Sequence, residues 1–220
     1  MKPSGLLNTS KNAAVVVAHP DDEIIWTGGT ILMHPEWQWH IAVLCRKSDK
    51  DRAPKFSAVM KSLGAEGKIA DLDDAPHQPP LSDKELQKTV VSLLPRKSFD
   101  VIITHSPCGE YTRHLRHEET SRAVCVLWEK GIITAKEVWL FAYEDGAGQY
   151  TPRPIKKAHK TIKLPDAIWQ KKYRLVTELY GFRPDSLETK SVSRKEAFWC
   201  FRSSAQMHQW LTGTLERQKQ

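Results

Sequence analysis

The 220-residue chain contains no apolar run longer than six residues, far short of the roughly 20 that a membrane-spanning helix needs. Its first seven residues, Met1-Lys2-Pro3-Ser4-Gly5-Leu6-Leu7, lack the apolar core of a secretory leader. The four cysteines, Cys45, Cys108, Cys125 and Cys200, are widely separated and form no C-x-x-C pair. That excludes a cysteine-based zinc site and points to reduced, buried thiols and a cytoplasmic location. Gly28-Gly29 is not part of a G-x-G-x-x-G fingerprint and no Walker lysine follows it, so it reads as close helix packing and not as a phosphate loop. No internal repeat, low-complexity linker, zinc-finger spacing or RNP-type aromatic motif occurs, which argues against a nucleic-acid module.

What is present is ordinary for a globular chain: 40% apolar and 27% charged residues, at a length that suits one domain over residues 1–220. The net charge of +7 is concentrated between Arg153 and Arg174, where Lys156, Lys157, Lys160, Lys163, Lys171 and Lys172 are offset only by Asp166. Such a segment is either a solvated basic face or a patch that attracts an anionic substrate or lipid head group.

Short, continuously apolar runs at Ala13–Ala18, His40–Cys45, Lys68–Leu72, Phe99–Thr104 and Val138–Tyr143 read as strands buried on both faces, the mark of a parallel sheet. Helix-period segments lie between them. Phe56, Val59, Met60 and Leu63 share one face and Gly64 supplies a stop; Ser82 and Glu85 form a capping-box pattern and Pro95 closes that helix. A third helix begins near His117, turns Ala123, Val124, Leu127 and Trp128 inward and ends at Gly131. This alternation predicts an α/β fold with a Rossmann-like, doubly wound, mostly parallel sheet over residues 13–145. Residues 146–220, rich in proline and aromatics, read as an irregular extension that completes a pocket wall. Those aromatics suit either a core or an interface between copies of the chain, which leaves a homo-oligomer open.

In such sheets ligands bind beyond the carboxyl ends of the strands. Two polar loops land there: "AHPDDE" after the first strand and "THSPCGEYTRHLRH" after the fourth. His19 and Asp22 sit three apart in one, His114 and His117 three apart in the other. Two imidazoles and a carboxylate with one open position suit a catalytic zinc, or another divalent ion. Asp22 can then ligate while Asp21 overhangs a water as general base. A bound cation also explains how adjacent carboxylates are tolerated at a strand end. Glu23, next to them, can either favour the positive helix end or support the site.

"AHPDDE" followed by a His-x-x-His loop resembles the LmbE/PIG-L zinc-dependent N-deacetylases, over roughly residues 13–145. The resemblance implies His19, Asp22 and His117 as zinc ligands, Asp21 as general base and His114 as a histidine steadying the base or a developing oxyanion. It also implies an N-acetylglucosamine-type sugar or sugar conjugate as substrate, with Arg52 binding a hydroxyl or phosphate. His105 falls near the site as a supporting or packing residue. Against the family's frequent G-E-Y-G-H-P-x-H, one residue is inserted after Tyr111, giving Arg113, and Leu115-Arg116 replaces the usual spacer; both departures bear on substrate identity. Metal-dependent hydrolysis of another amide or ester, and a non-catalytic nucleotide- or anion-binding module, are the alternatives.

Overall fold

The computed structural model of the chain describes residues 10–75, 79–111 and 114–217. The five apolar runs are parallel strands, β1 (Asn12–Val17), β2 (Gln38–Cys45), β3 (Glu66–Leu72), β4 (Ser98–Thr104) and β5 (Thr134–Phe141), arranged in the order β3-β2-β1-β4-β5. Helices α1 (Asp22–Met33), α2 (Arg52–Leu63), α3 (Asp83–Leu93) and α4 (Leu115–Glu129) link them. Successive strand side chains point to opposite faces, and β1 shows why its run is unbroken. Ala13, Val15 and Val17 join the core shared with Ile24, Phe56 and Val59 of α1 and α2. Ala14 and Val16 join the core shared with Val90 and Val124 of α3 and α4. Both faces are covered, so no polar alternation survives in the sequence.

The helix boundaries follow local chemistry. Gly64 ends α2 in the left-handed conformation, φ 66°, which costs glycine nothing. The Ser82 hydroxyl accepts the Glu85 N–H and starts α3. None of the described helices is long and apolar enough to cross a membrane.

The last seventy residues are more regular than their sequence suggests. After a small antiparallel pair, β6 (Tyr143–Glu144) with β7 (Arg153–Pro154), strands β8 (Lys160–Lys163) and β9 (Lys195–Phe201) extend the main sheet antiparallel beyond β5. Helix α5 (Asp166–Arg174) continues into a π-helical turn, Leu175–Leu179; α6 (Leu187–Lys190) and α7 (Ser204–Arg217) follow. Strand β8 was hidden because it is short, lysine-flanked and pairs with residues some thirty positions later.

This segment grips α1. The buried Glu196 carboxylate of β9 accepts the N–H groups of Gly29 and Thr30 at 2.7 Å each and pairs with the buried Lys172 ammonium at 2.6 Å. The Tyr143 hydroxyl donates to the Trp26 carbonyl at 2.9 Å. A Cβ at Gly29 would stand 2.4 Å from Leu164, so the glycine allows the close approach. Lys172, one of the basic run, is therefore a structural partner, while Lys156, Lys157, Lys160, Lys163 and Lys171 are exposed.

Candidate active site

β1 and β4 are neighbours at the point where strand order reverses, so the loops that follow them converge over one crevice. The first loop makes a strained turn. Asp21 has φ 120°, a conformation that costs a non-glycine residue about 1–3 kcal/mol. Its N–H donates to Glu23 Oε2 at 3.0 Å, and Glu23 in turn accepts the Tyr180 hydroxyl. Glu23 thus holds the turn, a supporting role. The strain separates two adjacent carboxylates: Asp22 turns into a buried cluster, while Asp21 faces the cleft beside Arg52, 3.1 Å away.

Three donor atoms meet in that cluster. His19 Nδ1 lies 3.3 Å from Asp22 Oδ2 and 3.2 Å from His117 Nε2, and the latter two are 3.4 Å apart. Ligands bound at 2.0–2.1 Å to a tetrahedral ion stand roughly 3.3 Å from one another, so the triangle has the dimensions of a zinc-type site. The supports of each ligand also fit. His117 Nδ1 is 2.7 Å from Glu110 Oε2, Trp26 Nε1–H donates to Asp22 Oδ1 at 3.0 Å, and His19 Nε2 lies 3.0 Å from Asp74 Oδ1 without hydrogen-bond alignment. Carboxylates behind ligating imidazoles are the usual companions of a bound metal. Burial alone would raise the Asp22 carboxyl, but the imidazoles of His117 and His105 hold it well below the ordinary range.

Both ring nitrogens of His105 are engaged, Nδ1 with Glu110 at 3.0 Å and Nε2 with the Ala18 N–H at 3.0 Å, while Nε2 also lies 3.4 Å from Asp22 Oδ2, so Asp22, His105 and His117 form a further set of potential donors. His105 stacks on His117 with ring centroids 3.9 Å apart. His114 lines the cleft, its ring 4.4 Å from that of His117 and 4.7 Å from that of His19, and it can join those two as an alternative donor set within 4.8 Å. Burial and the neighbouring His117 and His19 push His114 down to about 4. That shift favours the neutral imidazole over the imidazolium.

Burial and the Asp22 charge raise the Asp21 carboxyl well above the ordinary range, while Arg52 pulls it back. The Arg52 guanidinium also stacks on Phe182 at 4.2 Å. Arg52 therefore sits in the cleft where a substrate arrives, already engaged to the candidate base. Arg46 is the second cleft cation; it pairs with Asp74 at 2.8 Å and Asp49 at 3.3 Å. None of the exposed lysines of the basic segment lines this cleft. Arg116 is buried, pairs with Glu119 and donates to the Asp73 carbonyl at 2.6 Å. It ties α4 to the segment carrying Asp74 and makes no contact with the cleft. Arg113 lies outside the described residues.

The cleft measures about 190 Å³; Ile25, Trp26, Tyr111 and Leu187 form its apolar wall, with Glu188 and Ser191 of the C-terminal segment beside them. Reading the sequence missed Asp74 and the roles of Glu110 and Trp26. Glu110 stood inside the second motif and could have been found there; Asp74 sits in an acidic stretch with nothing local to single it out.

Comparison with known proteins gives this geometry a setting. Residues 14–128 match the family model described as PIG-L: GlcNAc-PI de-N-acetylase. An uncharacterised protein of Acanthamoeba polyphaga mimivirus is 24% identical over 176 residues, 74% of this chain and 75% of its own length. The fold is similar to that of the N,N'-diacetylchitobiose deacetylase from Pyrococcus horikoshii, with TM-score 0.65, 16% identity, and 90% of this chain and 87% of that one covered. It is also similar to the 4-carboxy-2-hydroxymuconate hydratase GalB from Pseudomonas putida, with TM-score 0.60, 17% identity and 83% of each chain covered. Two chemistries on one fold show that the architecture alone does not name the reaction. The matched segment carries both polar loops and all three donors of the triangle, and on that match the chain belongs to the PIG-L, GlcNAc-PI de-N-acetylase, family.

Proposed function

We propose that the chain is a metal-dependent N-deacetylase, with zinc as the ion, that hydrolyses the acetamide of an N-acetylglucosamine-type sugar or conjugate. The observation that carries this reading is the triangle of His19, Asp22 and His117, 3.2–3.4 Å on each side, with the Asp21 carboxylate facing the adjoining cleft. Family membership and the deacetylase among the similar folds support it. His19, Asp22 and His117 would hold the ion, which supplies a Lewis acid for an amide carbonyl and acidifies water.

Asp21 takes the proton as water oxygen adds to the carbonyl carbon, and returns it to the sugar nitrogen as the C–N bond breaks, releasing acetate and a free amine. Its raised carboxyl suits both duties. The neutral His114 donates one ring N–H to the developing oxyanion. Arg52 turns from Asp21 toward a sugar hydroxyl or an anionic substituent. At 190 Å³ the cleft is below the roughly 300–1,000 Å³ of drug-sized sites, which suits the acetamido end of a substrate with the remainder outside. Cys45, Cys125 and Cys200 form no disulfide, in keeping with a reducing compartment such as the cytoplasm.

Metal analysis followed by an acetate-release screen across N-acetylglucosamine conjugates tests this. One zinc per chain and acetate release are expected. Release of a different acid would redirect the substrate assignment; absence of stoichiometric metal, with salt-sensitive anion binding instead, would leave a binding module.

A further inference from the structure

Glu110 has no part in the reaction above, and it does not line the cleft. It is 1% exposed, yet its two oxygens meet three donors. Oε2 lies 2.7 Å from His117 Nδ1 and 3.0 Å from His105 Nδ1, and Oε1 accepts the Ser106 N–H at 2.8 Å. His105 carries the chain onward, its Nε2 accepting the Ala18 N–H at 3.0 Å. One hydrogen-bonded path therefore runs from the end of β1, where the His19 turn begins, to the ligand imidazole on α4.

With both imidazoles neutral, the hydrogen bonds along this path favour one arrangement of protons. A carboxylate only accepts, so Nδ1 of both imidazoles bears hydrogen; otherwise two acceptors would face each other in a sealed site. The Ala18 N–H, at 3.0 Å and closer than the Asp22 carboxylate at 3.4 Å, favours a lone pair on His105 Nε2. For His117 the same bookkeeping leaves Nε2, 3.2 Å from His19 Nδ1 and 3.4 Å from Asp22 Oδ2, as the nitrogen free to present a lone pair.

We infer that Glu110 is a positioning residue that sets the tautomer of His117, and with it that of His105, so that the Nε2 lone pair of His117 faces the donor triangle and the two loops are stapled in register. This rests on the metal reading of the triangle, but its first readout needs neither metal nor substrate. Removing Glu110 leaves Asp22 as the carboxylate next to His117, which draws the ring proton to Nε2, the position a metal must occupy.

The test is the neutral tautomer of His117 in the metal-free protein at pH 9, read from the nitrogen chemical shifts of its ring, together with zinc affinity by chelator competition. The wild type is expected to carry hydrogen on Nδ1, and Glu110→Ala to move it to Nε2 with zinc bound about 10–100-fold more weakly. Glu110→Gln keeps one acceptor oxygen and is expected to fall between them. An Nε2–H ring in the wild type overturns the inference, and this measurement stands even where Glu110→Ala fails to fold. A folded Glu110→Ala protein with wild-type tautomer and wild-type affinity overturns it equally. A wild-type protein that binds no zinc instead removes the proposed function, while the tautomer measurement still decides the role of Glu110.

Discussion

The two loops that build the site solve one problem in opposite ways. The loop after β4 is sealed: Glu110, His105 and His117 are each 0–1% exposed, and both imidazoles are hydrogen-bonded to Glu110. The loop after β1 is open to the cleft: Asp21 is strained, His19 is partly exposed, and its supporting carboxylate Asp74 is shared with Arg46 at the cleft wall. Burial alone would raise both supporting carboxyls, yet both are held at about 2, Glu110 by His105 and His117 and Asp74 by His19 and Arg46. The comparison teaches a division of labour, in which the buried loop locks an imidazole in place and the open loop, held in a tense backbone, turns Asp21 to the cleft.

Breaking the open loop at its buried ligand is the largest test. Asp22→Ala should lose stoichiometric zinc and acetate release together, because it removes one corner of the triangle and leaves the His19 N–H, 2.9 Å from Asp22 Oδ2, unpaired. Changing the neighbouring residue should separate the two properties. Asp21→Asn should keep zinc while kcat falls about 10²–10⁴-fold, and a zinc-loaded Asp21→Asn protein with wild-type turnover would sink the assignment of the base.

The fold of residues 13–145 was legible because strands buried on both faces leave continuous apolar runs, and because Gly64 and Ser82 mark helix ends with unambiguous chemistry. The C-terminal segment was not. Lys160–Lys163 lies on a sheet edge and pairs with Lys195–Phe201, a partnership no local pattern encodes. At the site, the sequence brought His19, Asp21, Asp22, His114, His117 and Arg52 into view, and the structure brings them together around one cleft. The downward shift of His114 was not legible, since it depends on burial and on which rings crowd it. Asp74 and Trp26 were hidden because their role lies in the partner they touch, not in their sequence neighbours.

Smaller tests sharpen the contrast between loops. Asp74→Asn should weaken zinc binding toward the lower end of about 10–100-fold, less than loss of the sealed Glu110, as measured by the same chelator competition. Equal losses at both positions would erase the distinction. Arg52→Gln should act mainly on pH. The Arg52 charge favours the Asp21 carboxylate, and the base must be ionised to act, so losing the arginine raises the Asp21 carboxyl further. The acidic limb of kcat/KM should then move to higher pH with the alkaline limb unchanged; an unmoved acidic limb would uncouple the pair.

The most direct measurement is the zinc content of the purified wild type and of Asp22→Ala after gel filtration. One ion per wild-type chain and none in the variant is the expected result. No ion in the wild type, or the same content in both, would contradict a metal centre built by His19, Asp22 and His117.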